Sequence, residues 1–218
     1  MEKMPYQPGA DLSSPASMTS IVRTDWQRAL PQVSSARLVL RELRSDDAAS
    51  LFALLTTEEV SRFISPPPTS VEGFEKFIAW THRQRAAGAY ACYAVTLRGR
   101  DTAIGIFQLR RLDAAFTLAE WGFAIGSPFW GTGVFEESAR LVLDFAFGVI
   151  GVRRLEARAA VLNGRGNGAL RKIGAVQECV LRRSFTRGSV QHDQALYAIL
   201  DVDRRAADAV SALKPWIH

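Results

Sequence analysis

Two glycines one residue apart, Gly131 and Gly133, lie in the stretch SPFWGTGVFEESARLVLDFAF, Ser127 to Phe147. The strand-like run LAEWGFAI, Leu118–Ile125, leads into them, and an amphipathic helix follows. A helix N-terminus presents unpaired N–H groups and a partial positive charge. Glycine leaves room for an anion to approach the backbone, and Thr132 adds a small hydroxyl between the two. The chemistry this arrangement can perform is to hold a phosphate. The same spacing also fits a plain strand-to-helix turn that needs glycine for its dihedrals. It is not a Walker A loop, because no Gly-Lys-Ser/Thr follows. It is not a dinucleotide fingerprint either, since the third glycine is missing and the strands upstream read as antiparallel.

The elements that must position this turn can be read along the chain. Residues 1–35 are expected to form a flexible extension, rich at first in Pro, Ser and Gly. Its later part, RTDWQRALPQV, carries apolar anchors that suit a segment lying across a domain surface. The domain itself is expected over 36–202, with 203–218 as a tail. ARLVLREL reads as a strand and SDD, Ser45–Asp47, as a helix start. Thr69 and Glu72 have the spacing of a capping box before a helix with Phe74, Phe77, Ile78 and Thr81 on one side. YACYAVTLR and TAIGIFQLR, joined by GRD, form a hairpin, and TLAEWGFAI extends it into an antiparallel meander.

A helix is expected from Val134 to Phe147, with Phe135, Ala139, Val142 and Ala146 on its apolar side and Gly148 as its stop. RRLEARAAV then reads as a strand, so one parallel crossover is expected here. A short helix, GNGALRKI, and two more strands follow. The order β-α-α-β-β-β-α-β-α-β-β predicts an α+β fold: a mixed, mostly antiparallel sheet of about seven strands flanked by about four helices.

The bulk properties narrow the function classes. The chain has 218 residues and a net charge of +5, with only four lysines among 27 basic residues. The arginines are scattered and no long basic run appears, which argues against a nucleic-acid partner. No apolar run approaches the roughly 20 residues of a membrane helix. Cys92 and Cys179 lack metal-ligand spacing, which fits buried or partly buried thiols in a reducing cytoplasm and no metal.

Several motifs in order, AEWGFAIGSPFWGTGVFEESARLVLDFAF, RRLEARAAVLNGRGNGALRKIGAVQECVLRRSF and DQALYAIL, together resemble the GNAT superfamily of acyl-CoA-dependent N-acetyltransferases. The resemblance runs from about Ala36 to Leu200 and is nearest to the branch that acetylates ribosomal-protein N-termini. It implies acetyl-CoA as co-substrate and an amine acceptor, either a protein N-terminus or a small molecule, in a monomer or homodimer. It also implies a sheet splayed at the cofactor site. In the family's phosphate loop Trp130 takes the first position, Gly133 is the central glycine, and Phe135 stands where Gly or Ala is usual. The N–H groups of Gly131, Thr132, Gly133, Val134, Phe135 and Glu136 are then expected to grip the pyrophosphate of coenzyme A. The strand edge Phe123, Ala124 and Ile125 is expected to pair with the pantetheine arm, with Gly122 and Gly126 easing a bend. Asn163, nine residues before Lys172, matches the asparagine that bonds the cofactor arm.

The resemblance also implies the chemistry. Direct attack of an amine on a thioester needs a proton acceptor, a polarised carbonyl and a group to protonate the leaving thiolate. Glu120 takes the position of the family's base. The plain alternative for it is an inter-strand ion pair with an arginine such as Arg158. The family's acid is often a tyrosine seven residues after the asparagine, and here that position is Leu170. Tyr197 is an alternative acid, though a tyrosine in such a strand suits the core. Gly166 and Ala175 also depart from the family's Ser/Ala and Phe. The departures at Leu170 and Phe135 keep open a second reading, an acyl-CoA-binding sensor or interaction module that does not catalyse.

Overall fold

The structure is a computed structural model that describes residues 25–203, so the predicted extension over 1–24 and the tail beyond 203 lie outside the described residues. Strands β1 (Val33–Ser34) and β2 (Leu38–Glu42) lead into helices α1 (Asp47–Leu55), α2 (Glu58–Ser61) and α3 (Val71–Ala86). The meander β3 (Tyr90–Leu97), β4 (Ala103–Arg111) and β5 (Leu118–Ile125) follows. After helix α4 (Val134–Phe145) come β6 (Arg154–Ala160), α5 (Gly164–Lys172), β7 (Val176–Arg187) and β8 (Val190–Leu200).

The eight strands form one sheet in the order β1-β2-β3-β4-β5-β6-β8-β7. Every neighbouring pair is antiparallel except β5–β6. That parallel pair needs a crossover, and α4 supplies it. The strand beyond the expected number is β1, inside the segment read as extension. Trp26 and Leu30, just before it, are buried, and Trp26 meets Phe116 edge to face at 5.6 Å. Apolar anchors spaced along 25–33 bury enough surface to hold that stretch against the domain.

Each face of the sheet carries its own core. One face packs Leu38, Tyr93, Phe107, Trp121 and Leu155 against Ala139, Val142, Leu143 and Phe145 of α4. The opposite face packs Cys92, Ala94, Ile106 and Ala124 against Leu51 and Leu55 of α1 and Phe74 and Ile78 of α3. Strand alternation makes this possible, because successive residues of β3 to β5 serve opposite faces.

Two local expectations shift. The N-cap of α3 is Ser70, whose hydroxyl accepts from the Gly73 amide at 3.0 Å, rather than Thr69. Helix α4 does not stop at Gly148: it widens into a π turn over Ala146–Ile150 and ends at Gly151, whose φ of 90° needs glycine. Cys92 is buried, and Cys179 is exposed on β7.

Candidate functional site

Strands β5 and β6 pair only through Leu118–Arg154, Ala119–Leu155 and Glu120–Glu156. Beyond Glu120 they part. From Trp121 onward β5 keeps its β4 partner but has no neighbour on the other side, while β6 from Ala157 pairs with β8 alone. The result is a gap whose apex is Glu120.

The register decides which backbone groups face the gap. Gly126 donates to Ile104 of β4 at 2.9 Å, and Leu112 donates to the Leu118 carbonyl. Residues of that parity, Glu120, Gly122 and Ala124 included, therefore turn their backbone groups toward β4. Phe123 and Ile125 turn theirs toward the gap. Of the three residues expected to present a backbone edge there, Ala124 is the one whose peptide groups point away.

The chain leaves β5 through the short 3₁₀ turn Ser127–Phe129 and enters the glycine pair. Gly131 and Gly133 have φ of 75° and 84°, the left-handed region that a side chain disfavours. Gly133 is the N-cap of α4, and no side chain caps that helix. Among the described residues, the N–H groups from Gly131 to Glu136 donate to no protein acceptor. Such a row of free donors around a helix start has the geometry that suits an anion.

Side-chain contacts hold the loop. Thr132 donates its hydroxyl to the Phe129 carbonyl at 2.7 Å. Trp130 donates its indole N–H to the Ile125 carbonyl at 2.8 Å, and the Arg165 guanidinium lies over its ring at 4.0 Å. Because α5 follows β6 and the loop follows β5, that stack ties the two diverging strands together beyond the gap. From the bend just before β2, Arg37 donates to the Thr132 carbonyl at 3.2 Å and to Glu137 of α4 at 2.8 Å. Ser35 also donates to Glu137. Burial pushes the Glu137 carboxyl up, but Ser35 and Arg37 together hold it below the usual carboxylate range. Arg37, Gly133, Glu136, Glu137 and Arg140 line a shallow pocket of about 330 Å³ at this helix start.

Phe135 turns away from the anion site. Its ring stacks on Phe107 at 5.8 Å and meets Phe123 at 4.5 Å, joining the core on the α4 face. A bulky residue is tolerated at that helix position because its side chain points under the sheet rather than into the loop.

Asn163 caps α5, its side-chain oxygen accepting from the Gly166 amide at 2.9 Å. A β-carbon on Gly166 would lie 2.6 Å from the Asn163 Nδ2, so glycine here lets the cap fold back. Leu170 is buried, and Tyr197 is fully buried with its hydroxyl donating to Asn167 at 2.9 Å, so neither offers an acid to the gap. Asn167, which sequence reasoning passed over, donates to the Ala160 and Asn163 carbonyls at 2.9 and 2.7 Å and fixes the turn after β6. Its signal is the second asparagine one turn after the first.

On the α1–α3 face, Glu120 is paired with Arg110 of β4, its register partner. Arg158 of β6 lies 3.8 Å from its other oxygen. The ion pair expected as the plain alternative is thus present, chiefly with Arg110. No sequence motif marked Arg37 or Arg110, and Arg110 is recognisable as the partner of Glu120 only once strand register is known. The β7–β8 hairpin reaches this face too, where Arg187 donates to Ser61 of α2 at 3.3 Å. Among the described residues no group of His, Cys, Asp and Glu could hold a metal ion, and no helix is long and apolar enough to cross a membrane.

With this geometry in place, comparison with known proteins is informative. A protein-family profile described as an acetyltransferase (GNAT) domain matches residues 37–176. The chain is 26% identical to an uncharacterized N-acetyltransferase of Bacillus subtilis, YoaA, across 78% of this chain and 97% of that relative. Among solved structures, Mycobacterium smegmatis RimJ in complex with CoA-disulfide superposes with a TM-score of 0.70 at 19% identity, covering 76% of this chain and 83% of that one. RimL, a ribosomal L7/L12 alpha-N-protein acetyltransferase in complex with coenzyme A, gives 0.70 at 18% identity over 78% and 98%. At these identities the structural likeness is one of fold.

Proposed function

The chain belongs to the GNAT acetyltransferase family, and from that premise we propose that it transfers the acetyl group of acetyl-CoA to a primary amine, either a protein N-terminus of the ribosomal-protein type or a small molecule. The observation that carries this reading is the gap after Glu120. It opens between β5 and β6 and ends on the row of free amides from Gly131 to Glu136.

The residues present suit acetyl-CoA. Two left-handed glycines and an uncapped helix start match a pyrophosphate. The gap-facing backbone of Phe123 and Ile125 matches an extended pantetheine arm added like a strand. Asn163 stands at the far wall, with its Nδ2 available for the same arm. When bound, acetyl-CoA supplies a thioester whose carbon–sulfur bond breaks as the amine takes the acetyl group. Glu120, at the apex, accepts the amine proton directly or through one water. Arg110 pairs with that carboxylate, so an arriving amine competes with the guanidinium for it. Leu170 and the buried Tyr197 leave solvent to protonate the departing thiolate.

The engagement of Glu120 by Arg110 favours one competing reading, an acyl-CoA-binding module in which that carboxylate only locks the sheet. A thiol-release assay separates the two. The purified protein is offered acetyl-CoA with a panel of N-terminal peptides, amino acids, polyamines and aminoglycosides, with calorimetric acetyl-CoA binding as control. Acceptor-dependent release supports transfer. Tight binding without release from any acceptor overturns it in favour of the binding module.

A further inference from the structure

The acceptor side of the gap carries a pattern of donors that narrows the class of amine, on the premise that the protein is the acetyltransferase proposed above. On the α1–α3 face, Gln108 of β4 is the register partner of Gly122, and Tyr90 donates its hydroxyl to the Gln108 side-chain oxygen. That contact fixes which end of the amide is presented. The Gln108 Nε2 lies 2.9 Å from where a β-carbon on Gly122 would sit. A side chain at 122 would therefore displace the amide group. Glycine at this position lets Gln108 lay two N–H donors over the strand, one residue pair past Glu120.

Arg158 faces the same spot from the other strand. It is two residues beyond Glu156, the parallel partner of Glu120, so it stands where β6 has already parted from β5. Its side chain is 40% exposed and its Nε lies 3.8 Å from Glu120, beyond hydrogen-bond range. The guanidinium donates no hydrogen bond to a described residue. Its neighbours differ. Arg154 is held by Glu156 and Glu178, and Arg110 by Glu120. Arg158 is thus a cation on this face whose nearest carboxylate, Glu120, is already shared with Arg110, and it sits in the gap beside the base.

We propose that the acceptor is an amine carrying a carboxylate close to the amino group, with Glu120 serving the nitrogen and Arg158, assisted by the Gln108 amide, binding the carboxylate. A guanidinium fork is the side chain best matched to a carboxylate, through two parallel charge-assisted hydrogen bonds. A carboxylate also neutralises the positive charge that Glu120, already shared with Arg110, leaves on Arg158. The chemistry fits a free amino acid, or a peptide N-terminus with an acidic side chain near its start. Arg158 is then a specificity-determining residue for the reaction.

The test uses the full chain with acetyl-CoA, thiol release as the readout, and acceptors in matched pairs. One arm compares amino acids with their carboxamides. The other compares peptides with Glu or Gln at the second position. The arm with the larger preference identifies the source of the carboxylate. Carboxamides have the less basic amines and are more often neutral, so any preference for the acid runs against intrinsic reactivity. The expected result is a preference for the carboxylate member of about tenfold or more in kcat/KM in at least one arm. In Arg158→Gln that ratio falls to about one through KM, and Arg158→Lys keeps part of it. The absence of any preference in the parent protein overturns the proposal. So does an Arg158→Gln variant that slows both members of a pair alike, which would mark Arg158 as a prop for Glu120. If acetyl-CoA binds but no acceptor releases thiol, the transferase reading itself falls, and this one with it.

Discussion

The two walls of the gap are made of different material. On the α4 side the site consists of backbone: free amides from Gly131 to Glu136 and the gap-facing peptide groups of Phe123 and Ile125. On the α1–α3 side it consists of side chains: Glu120, Gln108, Arg110 and Arg158, brought together from three strands. A backbone site is indifferent to most substitutions but intolerant at the few positions whose dihedrals shape it. A side-chain site has the opposite sensitivity. The cofactor wall should therefore govern affinity for acetyl-CoA, and the acceptor wall should govern turnover and choice of amine.

The largest expected effect tests that division at its boundary. Glu120→Gln should lower kcat by about two to three orders of magnitude, the usual contribution of a positioned proton acceptor. The calorimetric affinity for acetyl-CoA should stay within about twofold. If affinity falls in step with turnover, Glu120 is a support for the β5–β6 apex rather than a base, and the two walls are not separable. If turnover is unchanged, the carboxylate is only the partner of Arg110.

A middle-sized effect belongs to the cofactor wall. Gly133→Ala forces a β-carbon into a left-handed backbone at φ 84° and places it 3.1 Å from the Arg37 guanidinium. The conformational strain alone is about 1–2 kcal/mol. Relaxation would turn the loop amides off their common focus, so acetyl-CoA affinity should fall about tenfold while kcat at saturation changes less than threefold. Gly131→Ala sharpens the point. It meets the same kind of strain at φ 75°, yet its β-carbon would touch nothing within 4 Å. A smaller loss at 131 than at 133 would show that contact with Arg37 matters as well as the dihedral.

The same contrast explains what could be read from the sequence. The meander, the crossover helix and the glycine turn were legible because each has a local cause: alternation, a hairpin turn, an amphipathic stripe, a residue type needed for φ. The turn at Gly131 and Gly133 is a local object, so its glycines announced its backbone shape. The splay after Glu120 was expected only through family likeness, because no local signal marks where two parallel strands stop pairing. Gln108, Arg110 and Arg158 were invisible as a group. They lie on separate strands, and only the register Arg110–Glu120–Glu156 sets them on one face. The segment of Trp26 and Leu30 was legible only as anchors across a surface, because their burial depends on a sheet edge distant in sequence. Phe135, conspicuous in the motif, proves unremarkable once its ring is seen against Phe107 and Phe123.

The smallest expected effect concerns Arg37, which reaches the backbone wall from outside it. Arg37 joins the bend before β2 to the Thr132 carbonyl and to Glu137, and so holds one peptide of the loop with its oxygen turned toward that bend. Its side chain is 58% exposed, so the ion pair adds no more than about 1 kcal/mol to stability. Arg37→Ala should weaken acetyl-CoA about three- to fivefold without changing the choice among amines. The pH dependence gives an independent reading. Because Glu137 is held below the ordinary carboxylate range in the fold, its contribution is fully present above the pKa of the unfolded chain. It disappears as pH falls through the lower, folded value. Thermal melts from pH 6 down through the carboxylate range should therefore show the parent losing its advantage over Arg37→Ala as acid protonates Glu137, with the two curves converging at the acid end. Curves that stay parallel would mean that Arg37 supports the loop through the Thr132 carbonyl alone, and that the backbone wall owes nothing to the charge on Glu137.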